Sequence, residues 1–360
     1  MKLLILTQKV DINDDVLGFF HGWLEEFSKH CQQVIVICLK KGEYKLPKNV
    51  KVLSLGKEEF DRFPGHSFRI FRWFIYSLRF YKHIWGERKN YDKVFVHMNK
   101  EYVLVGGIFW KLWHKKISLW YAHKAVSWQL WLAEKMVNTI FTATCESFRL
   151  ASNKVNIIGH GIDGGRFKNY ELEIKNNIIF KIITIGRISP SKDYETLIKA
   201  VEILNKAGVK LQVDIVGGPG TSEQKKYFNK IKEMAGQKKL GEVINFIGSV
   251  PNKDIYKYLN QAELFVHMSL TGSLDKAILE AMASGLIVVS CNDSSYKLLE
   301  DYKKDLLFKK GDHKELATKI ERIIKWPPGK TNEVAEKLQK IVINNHNLKK
   351  LIKKIVFLCN

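Results

Sequence analysis

The fold of this chain is decided by residues 182–192, which read IITIGRISPSK. Four apolar or β-branched residues predict a buried parallel strand, and a glycine follows where that strand ends. Arg187 and Lys192 lie in the next loop, ahead of a predicted helix over residues 193–206 that begins at Asp193. In an open α/β sheet, ligands bind where a strand passes into a helix N-terminus, and that terminus favours anions. The segment therefore predicts an α/β sheet with an anion site, although a solvated basic loop would have the same residues.

Short apolar runs alternate with longer helix-periodic stretches along the whole chain, which predicts α/β domains with parallel sheets and helices on both faces. A further helix over residues 312–325 is predicted to begin with Asp312 and Glu315 as a capping pair. The predicted strands are residues 3–7, 34–38, 50–55, 94–97, 117–121, 140–143 and 155–158, then 178–185, 211–216, 243–247, 264–267 and 286–290.

A length of 360 residues suits two domains better than one. We expect a first Rossmann-like domain over residues 1–167, completed by a C-terminal helix over 342–360. We expect a second Rossmann-like domain over residues 168–341, with the polar segment 168–177 as the linker.

Composition limits the classes of function. Hydrophobic residues make up 46% and charged residues 27% of the chain, which excludes a largely disordered protein. The 59 Lys and Arg against 37 Asp and Glu give a formal charge of +22, which favours an anionic partner such as nucleic acid, an acidic membrane or a phosphorylated substrate. The five scattered cysteines form no zinc or disulfide pattern, so a reduced cytosol is the simplest setting. Since no uncharged run is long enough to span a bilayer, we expect a cytoplasmic protein that is soluble or peripheral at the inner face of the membrane.

Residues 270–285, LTGSLDKAILEAMASG, predict a helix with one apolar stripe. Lys276 and Glu280 lie four residues apart outside that stripe. They are consistent with a solvated ion pair, but Lys before Glu is the less favourable order. The backbone amides of Leu274, Asp275 and Lys276 would be open at the helix start and suited to a phosphate.

Three motifs together resemble glycosyltransferase family 4. They are the Gly-Arg pair and lysine of residues 186–192, FIGSV at 246–250 and LEAMASG at 279–285. The similarity covers the second predicted domain well and the first loosely. It implies a GT-B fold, in which two Rossmann-like domains face each other across a cleft. It also implies transfer of a hexose from a UDP- or GDP-sugar to a glycan or lipid-linked acceptor, with retention of anomeric configuration and no metal cofactor.

The resemblance also assigns residues to the nucleotide-sugar donor. Arg187 and Lys192 would bind its diphosphate, Lys192 as a mobile point charge, and Glu280 would hold the ribose hydroxyls. The loop around Val250 would contact the base. The remaining donor-binding candidates are Gly18, Gly218, Ser273, Leu274 and Lys276. Gly18 is equally consistent with an ordinary turn, and the turn that contains Gly218 is by itself more typical of one.

One position departs from the family pattern. The family commonly has a glutamate eight residues before the one that corresponds to Glu280, and this chain has Gly272 there. Asp275 is the nearest carboxylate, so it is a catalytic candidate for orienting the sugar. The alternative is a charge that only stabilises the helix end.

His123 is the second catalytic candidate, because it follows a predicted strand at the edge where relatives keep a histidine near the transferred sugar. A lone histidine is otherwise more often structural, and we interpret His97 and His160 in that way.

Two basic amphipathic stretches, residues 68–83 and 348–355, could lie on an anionic membrane surface or pack into the first domain.

Because Gly272 replaces the usual glutamate, an alternative function is that of a catalytically silent nucleotide-sugar-binding protein. A nucleic-acid partner is not expected, because only the charge favours it and no nucleic-acid module is present in the sequence.

Overall fold

The computed structural model describes residues 1–60, 69–167 and 179–359, so the predicted linker lies outside the described residues. The chain forms two compact units. The first unit comprises Met1–Gly161, Pro251–Lys253 and Leu348–Asn360, and the second comprises Ile162–Val250 and Asp254–Asn347.

The strands lie where the apolar runs predict them. They are β1 (Lys2–Val10), β2 (Gln33–Lys41), β3 (Val50–Ser54), β4 (Lys93–His97), β5 (Lys116–Trp120), β6 (Thr139–Thr142), β7 (Val155–Ile157), β8 (Phe180–Ile185), β9 (Leu211–Val216), β10 (Ile244–Gly248), β11 (Leu264–His267) and β12 (Ile287–Ser290).

The helices fill the intervals between strands and the C-terminal region. They are α1 (Phe19–Ser28), α2 (Lys57–Phe60), α3 (Arg69–Gly86), α4 (Lys100–Leu112), α5 (Trp128–Met136), α6 (Tyr194–Lys206), α7 (Ser222–Gln237), α8 (Ile255–Leu259), α9 (Lys276–Ala283), α10 (Lys303–Leu306), α11 (His313–Ile324), α12 (Pro328–Asn345) and α13 (Leu348–Cys359). In the described part of the chain, none of these helices has the length and apolar character needed to cross a membrane.

The first unit is a seven-stranded parallel sheet in the order β3-β2-β1-β4-β5-β6-β7. Alternate residues of β1 enter two separate cores, because successive side chains of a strand point to opposite faces. Leu3 and Ile5 pack with α1 and α13, whereas Leu4 and Leu6 pack with side chains of α3, α4 and α5. Helices therefore cover both faces of this sheet.

The C-terminal helix packs into the first unit through its apolar stripe. Leu348, Leu351, Ile352 and Ile355 are all buried in the core that contains Leu3. Of the two interpretations of this stripe, packing into the first domain is therefore correct, and its apolar side chains are not available to a membrane.

The boundaries between the units differ from those expected at 167/168 and 341/342. Residues 162–167 lie with the second unit, because Ile162 and Phe167 are buried in its core and Ile162 forms a bridge with Asn347. Residues 342–347 also lie there, since Val342 of α12 is buried in the same core.

The second unit is a five-stranded parallel sheet in the order β10-β9-β8-β11-β12. The strand order reverses between β8 and β11, and the carboxyl ends of the strands at such a reversal are where open α/β sheets bind ligands. Both conspicuous motifs of the sequence follow these two strands, which puts residues 186–192 and 268–275 at the same edge.

Two predicted helix starts differ in detail. Asp193 has the left-handed φ of 46° and does not cap α6, since its Oδ2 accepts instead from the Thr196 hydroxyl at 2.6 Å. Asp312 does cap α11, where it accepts from the Glu315 N–H at 2.9 Å. Glu315 does not return the bond but accepts from the Lys309 N–H at 2.8 Å, so only half of the predicted capping pair forms.

Candidate functional site

Backbone hydrogen bonds tie the carboxyl ends of β8, β9 and β10 together. The Ile188 N–H donates to the Gly218 carbonyl at 3.1 Å, and the Gly217 N–H donates to the Gly248 carbonyl at 2.8 Å. Gly217 has a φ of +141°, and a Cβ on it would lie 2.0 Å from the Gly186 carbonyl oxygen. A side chain is therefore excluded where these loops meet.

Gly218 lies against the next loop. A Cβ at this position would lie 2.5 Å from Oγ of Ser249, in the loop that also contains the buried Val250. The glycine-rich turn thus brings the Val250 loop against the loop that follows β8. Because the Ser249 hydroxyl can rotate away from such a Cβ, this contact does not by itself require a glycine, and the donor-binding role of Gly218 stays a prediction.

Arg187 presents its side chain to solvent beside this turn. Its Cδ would lie 3.9 Å from a Cβ on Gly220, and the residue is exposed. Within the described residues, its guanidinium has no hydrogen-bond or ion-pair partner. An arginine fork in this state can bind an anion without first breaking another bond.

Lys192 is half-buried and ion-paired, contrary to the expected mobile point charge. Its ammonium contacts Oδ2 of Asp275. The same oxygen lies 2.6 Å from Nε2 of His267, a side chain that is almost fully buried. Burial alone would raise the pKa of Asp275, but the His267 hydrogen bond and the Lys192 charge outweigh it and hold that pKa well below its usual range. Asp275 is therefore an oriented carboxylate.

His267 is a residue of the candidate site that the sequence pattern does not predict. Its Nδ1 lies 3.4 Å from the Ser290 hydroxyl, so both ring nitrogens have neighbours. The available signal was its position as the last residue of β11, at the point where the strand order reverses. His123 is a candidate on different grounds, namely its position after a predicted strand and the histidine that relatives keep there.

Two side chains hold the loop that contains Gly272. The fully buried amide of Asn292 donates to the carbonyls of Thr271, at 2.6 Å, and Ser273, at 3.1 Å. The Ser294 hydroxyl donates to the Gly272 carbonyl. The carbonyls of residues 271, 272 and 273 accept these hydrogen bonds. The loop is therefore held in place through its backbone at the position where Gly272 has no side chain.

The N-terminus of α9 opens at this loop. Asp275 is the capping residue by position, but its side chain does not cap the helix. Leu274 is buried in the core of the second unit, so only its backbone could contact a ligand. Helix geometry leaves the first N–H groups of α9 without intrahelical acceptors, which is the usual arrangement of an anion site.

Lys276 and Glu280 are not a solvated pair. Glu280 is buried, and its Oε1 lies 3.6 Å from Nζ of Lys276. Burial lowers the pKa of Lys276 to about 8, and the positive charge of Arg166 adds to this effect, while Glu280 opposes it. Arg166 itself lies 3.5 Å from Asp163. The sequence does not predict this neighbour, because no spacing rule connects residues so far apart in the chain.

Gly18 has a packing reason within the first unit. It is buried, and a Cβ on it would lie 2.3 Å from the Asp14 carbonyl oxygen. A tight turn before α1 therefore explains this glycine without a ligand.

His123 lies in the exposed loop after β5. Its Nδ1 accepts from the Ala125 N–H at 3.0 Å, which leaves Nε2 to carry the proton of the neutral ring. His97 differs from it, because this buried ring stacks on Phe20 with centroids 4.2 Å apart. His160 lies against Trp120, consistent with the structural interpretation.

Over residues 1–60, 69–167 and 179–359, no group of three His, Cys, Asp or Glu side chains is placed to hold an ion.

A doubly wound parallel sheet with cations and a helix N-terminus at its strand reversal is typical of an α/β domain that binds a phosphorylated ligand. The family comparison agrees with this class. Residues 171–346 match the family model described as Glycosyl transferases group 1.

Curated relatives match parts of the chain. The amylovoran biosynthesis glycosyltransferase AmsK of Erwinia amylovora is 27% identical over 179 residues, which are 48% of this chain and 42% of AmsK. The GDP-Man:Man(3)GlcNAc(2)-PP-Dol alpha-1,2-mannosyltransferase of Xenopus laevis is 25% identical over 153 residues, or 41% of this chain and 31% of that protein. The matched region thus spans less than half the length of either relative.

Solved structures show the same fold over the full chain. Anabaena HepE in complex with UDP and glucose has a TM-score of 0.77 at 18% identity, with 99% of each chain covered. Sucrose-phosphate synthase from Thermosynechococcus elongatus has a TM-score of 0.75 at 14% identity, covering 99% of this chain and 98% of that one. The chain therefore has the GT-B type of fold built from two Rossmann-like domains.

Proposed function

We propose that this protein is a retaining glycosyltransferase that moves a hexose from a UDP- or GDP-sugar to a glycan or lipid-linked acceptor. The observation that carries the proposal is the group of charges at the strand reversal of the second unit. The cations of this group are Arg187, Lys192 and Lys276, and its carboxylates are Asp275 and Glu280. The match of residues 171–346 to Glycosyl transferases group 1 and the transferase names of the relatives support the same class.

The donor would lie with its diphosphate between Arg187 and the N-terminus of α9. Arg187 is unpaired among the described residues, so it supplies the first contact. Lys192 would share its charge between Asp275 and the diphosphate. The buried Glu280 would accept hydrogen bonds from the ribose, held by its contact with Lys276.

In the chemical step, the bond between the anomeric carbon and the diphosphate oxygen breaks, and the electron pair leaves with the diphosphate. The acceptor hydroxyl forms the new bond to that carbon and passes its proton to the departing diphosphate oxygen. Catalysis would come mainly from cations that stabilise the departing diphosphate, which needs no metal ion. Asp275 would orient the sugar in place of the carboxylate that Gly272 lacks, and His123 would be the catalytic candidate of the first unit.

We further propose that the protein works in the cytoplasm, at an anionic membrane surface that it contacts through α3, α4 and α5. Ring contacts join the first two helices, with centroids 5.5 Å apart for both Tyr81–Phe109 and Trp85–Trp113. The Lys111 ammonium joins α4 to α5 by donating to the Lys135 carbonyl at 3.2 Å. The exposed apolar face of these helices consists of Ile70, Phe71, Trp73, Phe74, Leu78, Trp85, Val105, Ile108, Leu112, Trp128 and Trp131.

A surface this rich in tryptophan and phenylalanine is uncommon on a protein that contacts only water. Positive charge lies beside this surface, where the Lys135 ammonium is 5.6 Å from the ring centroid of Trp131. The whole chain has a formal charge of +22. Apolar side chains accompanied by cations suit the boundary of an acidic bilayer.

Thermal-shift measurements against a panel of UDP-, GDP- and other nucleotide sugars test the proposal. A true donor at 100 times its dissociation constant should stabilise the protein by roughly 2.7 kcal/mol. The stabilising donor is then assayed for transfer to glycan and lipid-linked acceptors, and the anomeric configuration of the product is read by NMR. No stabilisation by any nucleotide sugar would refute the proposal. Tight binding without transfer to any acceptor would favour the silent nucleotide-sugar-binding alternative.

A further inference from the structure

The first unit contains a cavity of about 310 Å³ at the carboxyl ends of its strands. Gln8 of β1, Leu39 of β2 and Leu55, just after β3, line one side, and Asn99, just after β4, lines another. The order of this sheet reverses between β1 and β4, so the cavity lies at the edge where parallel sheets bind ligands. None of the residues assigned to the donor lines it.

The wall that α3 and α4 contribute to this cavity is largely aromatic. Trp73, Tyr76, Phe80 and Tyr81 come from α3, and Tyr102 comes from α4. Phe80 stacks on Tyr102 with ring centroids 5.8 Å apart, which fixes the two helices against each other at the cavity. The volume falls at the lower end of the range for small-molecule pockets, so the cavity admits part of a ligand and not a large glycan.

Several polar groups of this wall are already occupied. The Tyr81 hydroxyl donates to the Val105 carbonyl at 3.3 Å, and the Ser77 hydroxyl donates to the Trp73 carbonyl at 2.9 Å. The Glu101 carboxylate lies 3.1 Å from the Lys100 ammonium. A sugar ring requires several hydrogen-bond partners, because burying its hydroxyls without them is costly. A hydrocarbon chain requires none.

The cavity is continuous with the exposed apolar face. Trp73 and Val105 line the cavity, and yet they are 60% and 44% exposed. Their helix neighbours Phe74 and Ile108 are 59% and 61% exposed. An apolar path therefore leads from the protein surface to the carboxyl edge of the first sheet.

We propose that this cavity binds the hydrocarbon chain of a lipid-linked acceptor. The inference rests on the proposed transferase function and specifies its acceptor class. The apolar path selects a chain that reaches the cavity from a lipid surface, and the formal charge of +22 suits the phosphate that joins such a lipid to its sugar. The sugar end of the acceptor is then held near the strand ends while its chain remains among the aromatic rings.

Isothermal titration calorimetry of the full chain tests this site with dodecyl maltoside, below its critical micelle concentration, and with maltose as the chain-free probe. The neutral headgroup removes any contribution of the protein's net charge. Ser77→Phe and Val105→Trp fill the cavity from α3 and α4, and both positions are exposed, so folding should tolerate them. Lys82→Phe is the matched control, because it adds the same ring to an exposed position of α3 outside the cavity lining.

We expect dodecyl maltoside to bind the parent and Lys82→Phe alike, each cavity-filling variant to weaken that binding at least tenfold, and maltose not to bind. Equal affinity of both cavity-filling variants and the parent would overturn the proposal. Maltose binding that Ser77→Phe abolishes would also overturn it and assign the cavity to a sugar.

The donor measurement separates this inference from the proposed function. Transfer to water-soluble glycans without binding of dodecyl maltoside would refute the hydrocarbon site alone. In the opposite outcome, no nucleotide sugar stabilises the protein, but the cavity-filling variants still lose binding of dodecyl maltoside. That outcome would refute the transferase function and leave only the hydrocarbon site.

Discussion

Nε2 of His267 lies 2.6 Å from Oδ2 of Asp275, on the same carboxylate oxygen that the Lys192 ammonium contacts. A carboxylate held from two sides is oriented and ionised, as the depressed pKa of Asp275 indicates. Asp275 makes no capping hydrogen bond to α9, although its charge still lies at the positive end of that helix. A role in orienting the sugar and a role as a helix-end charge therefore make different predictions for the Asp275→Asn variant.

Asp275→Asn should lower kcat at least tenfold and leave the affinity for the free nucleoside diphosphate nearly unchanged. The amide keeps the shape of the side chain but loses the charge and the hydrogen-bond geometry that position the sugar. Steady-state kinetics and calorimetry measure the two effects separately. Asp305→Asn is the control, since Asp305 is an ion-paired carboxylate of the same unit, 3.2 Å from Arg322. Full kcat in Asp275→Asn, with only a lower melting temperature, would show a helix-end charge.

Arg187→Ala should weaken donor binding roughly tenfold to a hundredfold, which corresponds to the 1.5–3 kcal/mol of a hydrogen bond to a charged group. Lys192→Ala should also weaken it, and it should lower kcat in addition, because Asp275 then keeps only His267 as its partner. Calorimetry with the donor identified by thermal shift measures both constants. Lys199→Ala removes a cation from the exposed side of α6 and should bind like the parent. Parent-like binding by both site variants would contradict the anion site.

The strand positions could be predicted from the sequence because buried parallel strands are short and apolar throughout, as in β8 and β12. The position of Arg187 in the loop after β8 could be predicted for a similar reason, whereas its contact with a donor stays a prediction. The contact between Lys192 and Asp275 could not, because it joins two loops through the order of strands in the sheet. The different outcomes of the two basic amphipathic stretches could not be predicted either. α3 and α13 have similar patterns, but α13 buries its apolar stripe while Phe71 and Phe74 of α3 remain exposed.

Affinity for the nucleoside diphosphate should fall as the pH rises above about 8. Burial lowers the pKa of Lys276 to about 8, so this lysine loses its charge there, whereas the phosphates are already ionised. Glu280 is the neighbour that raises this pKa, so Glu280→Gln should both weaken nucleotide binding and move the loss to lower pH. Calorimetry from pH 6.5 to about 9.5 measures both effects. An identical pH profile in parent and Glu280→Gln would rule out Lys276 as the titrating group.

His123→Ala should lower kcat and leave nucleoside diphosphate affinity unchanged, if this side chain faces the transferred sugar. The Ala125 N–H fixes Nδ1 as an acceptor, so Nε2–H is available to donate to a hydroxyl or phosphate oxygen. His123→Gln retains an N–H donor close to the position of Nε2 and should recover part of kcat. His114→Ala, at another described histidine of the first unit, should act like the parent. Unchanged kcat in His123→Ala would restore the structural interpretation.

The protein should sediment with vesicles that contain phosphatidylglycerol, and less with pure phosphatidylcholine, because its charge and its exposed apolar face act together. Binding should weaken as salt is raised, since salt screens exposed charges. Phe74→Glu and Ile108→Glu each put a carboxylate on the apolar face and should reduce binding severalfold. Phe357→Glu is the matched control, because Phe357 is 77% exposed on α13, outside that face. This substitution removes the same ring and adds the same carboxylate as Phe74→Glu. A reduction by Phe357→Glu as large as that by Phe74→Glu would show that general charge governs binding. Equal recovery with neutral and acidic vesicles at low salt would remove the membrane role altogether.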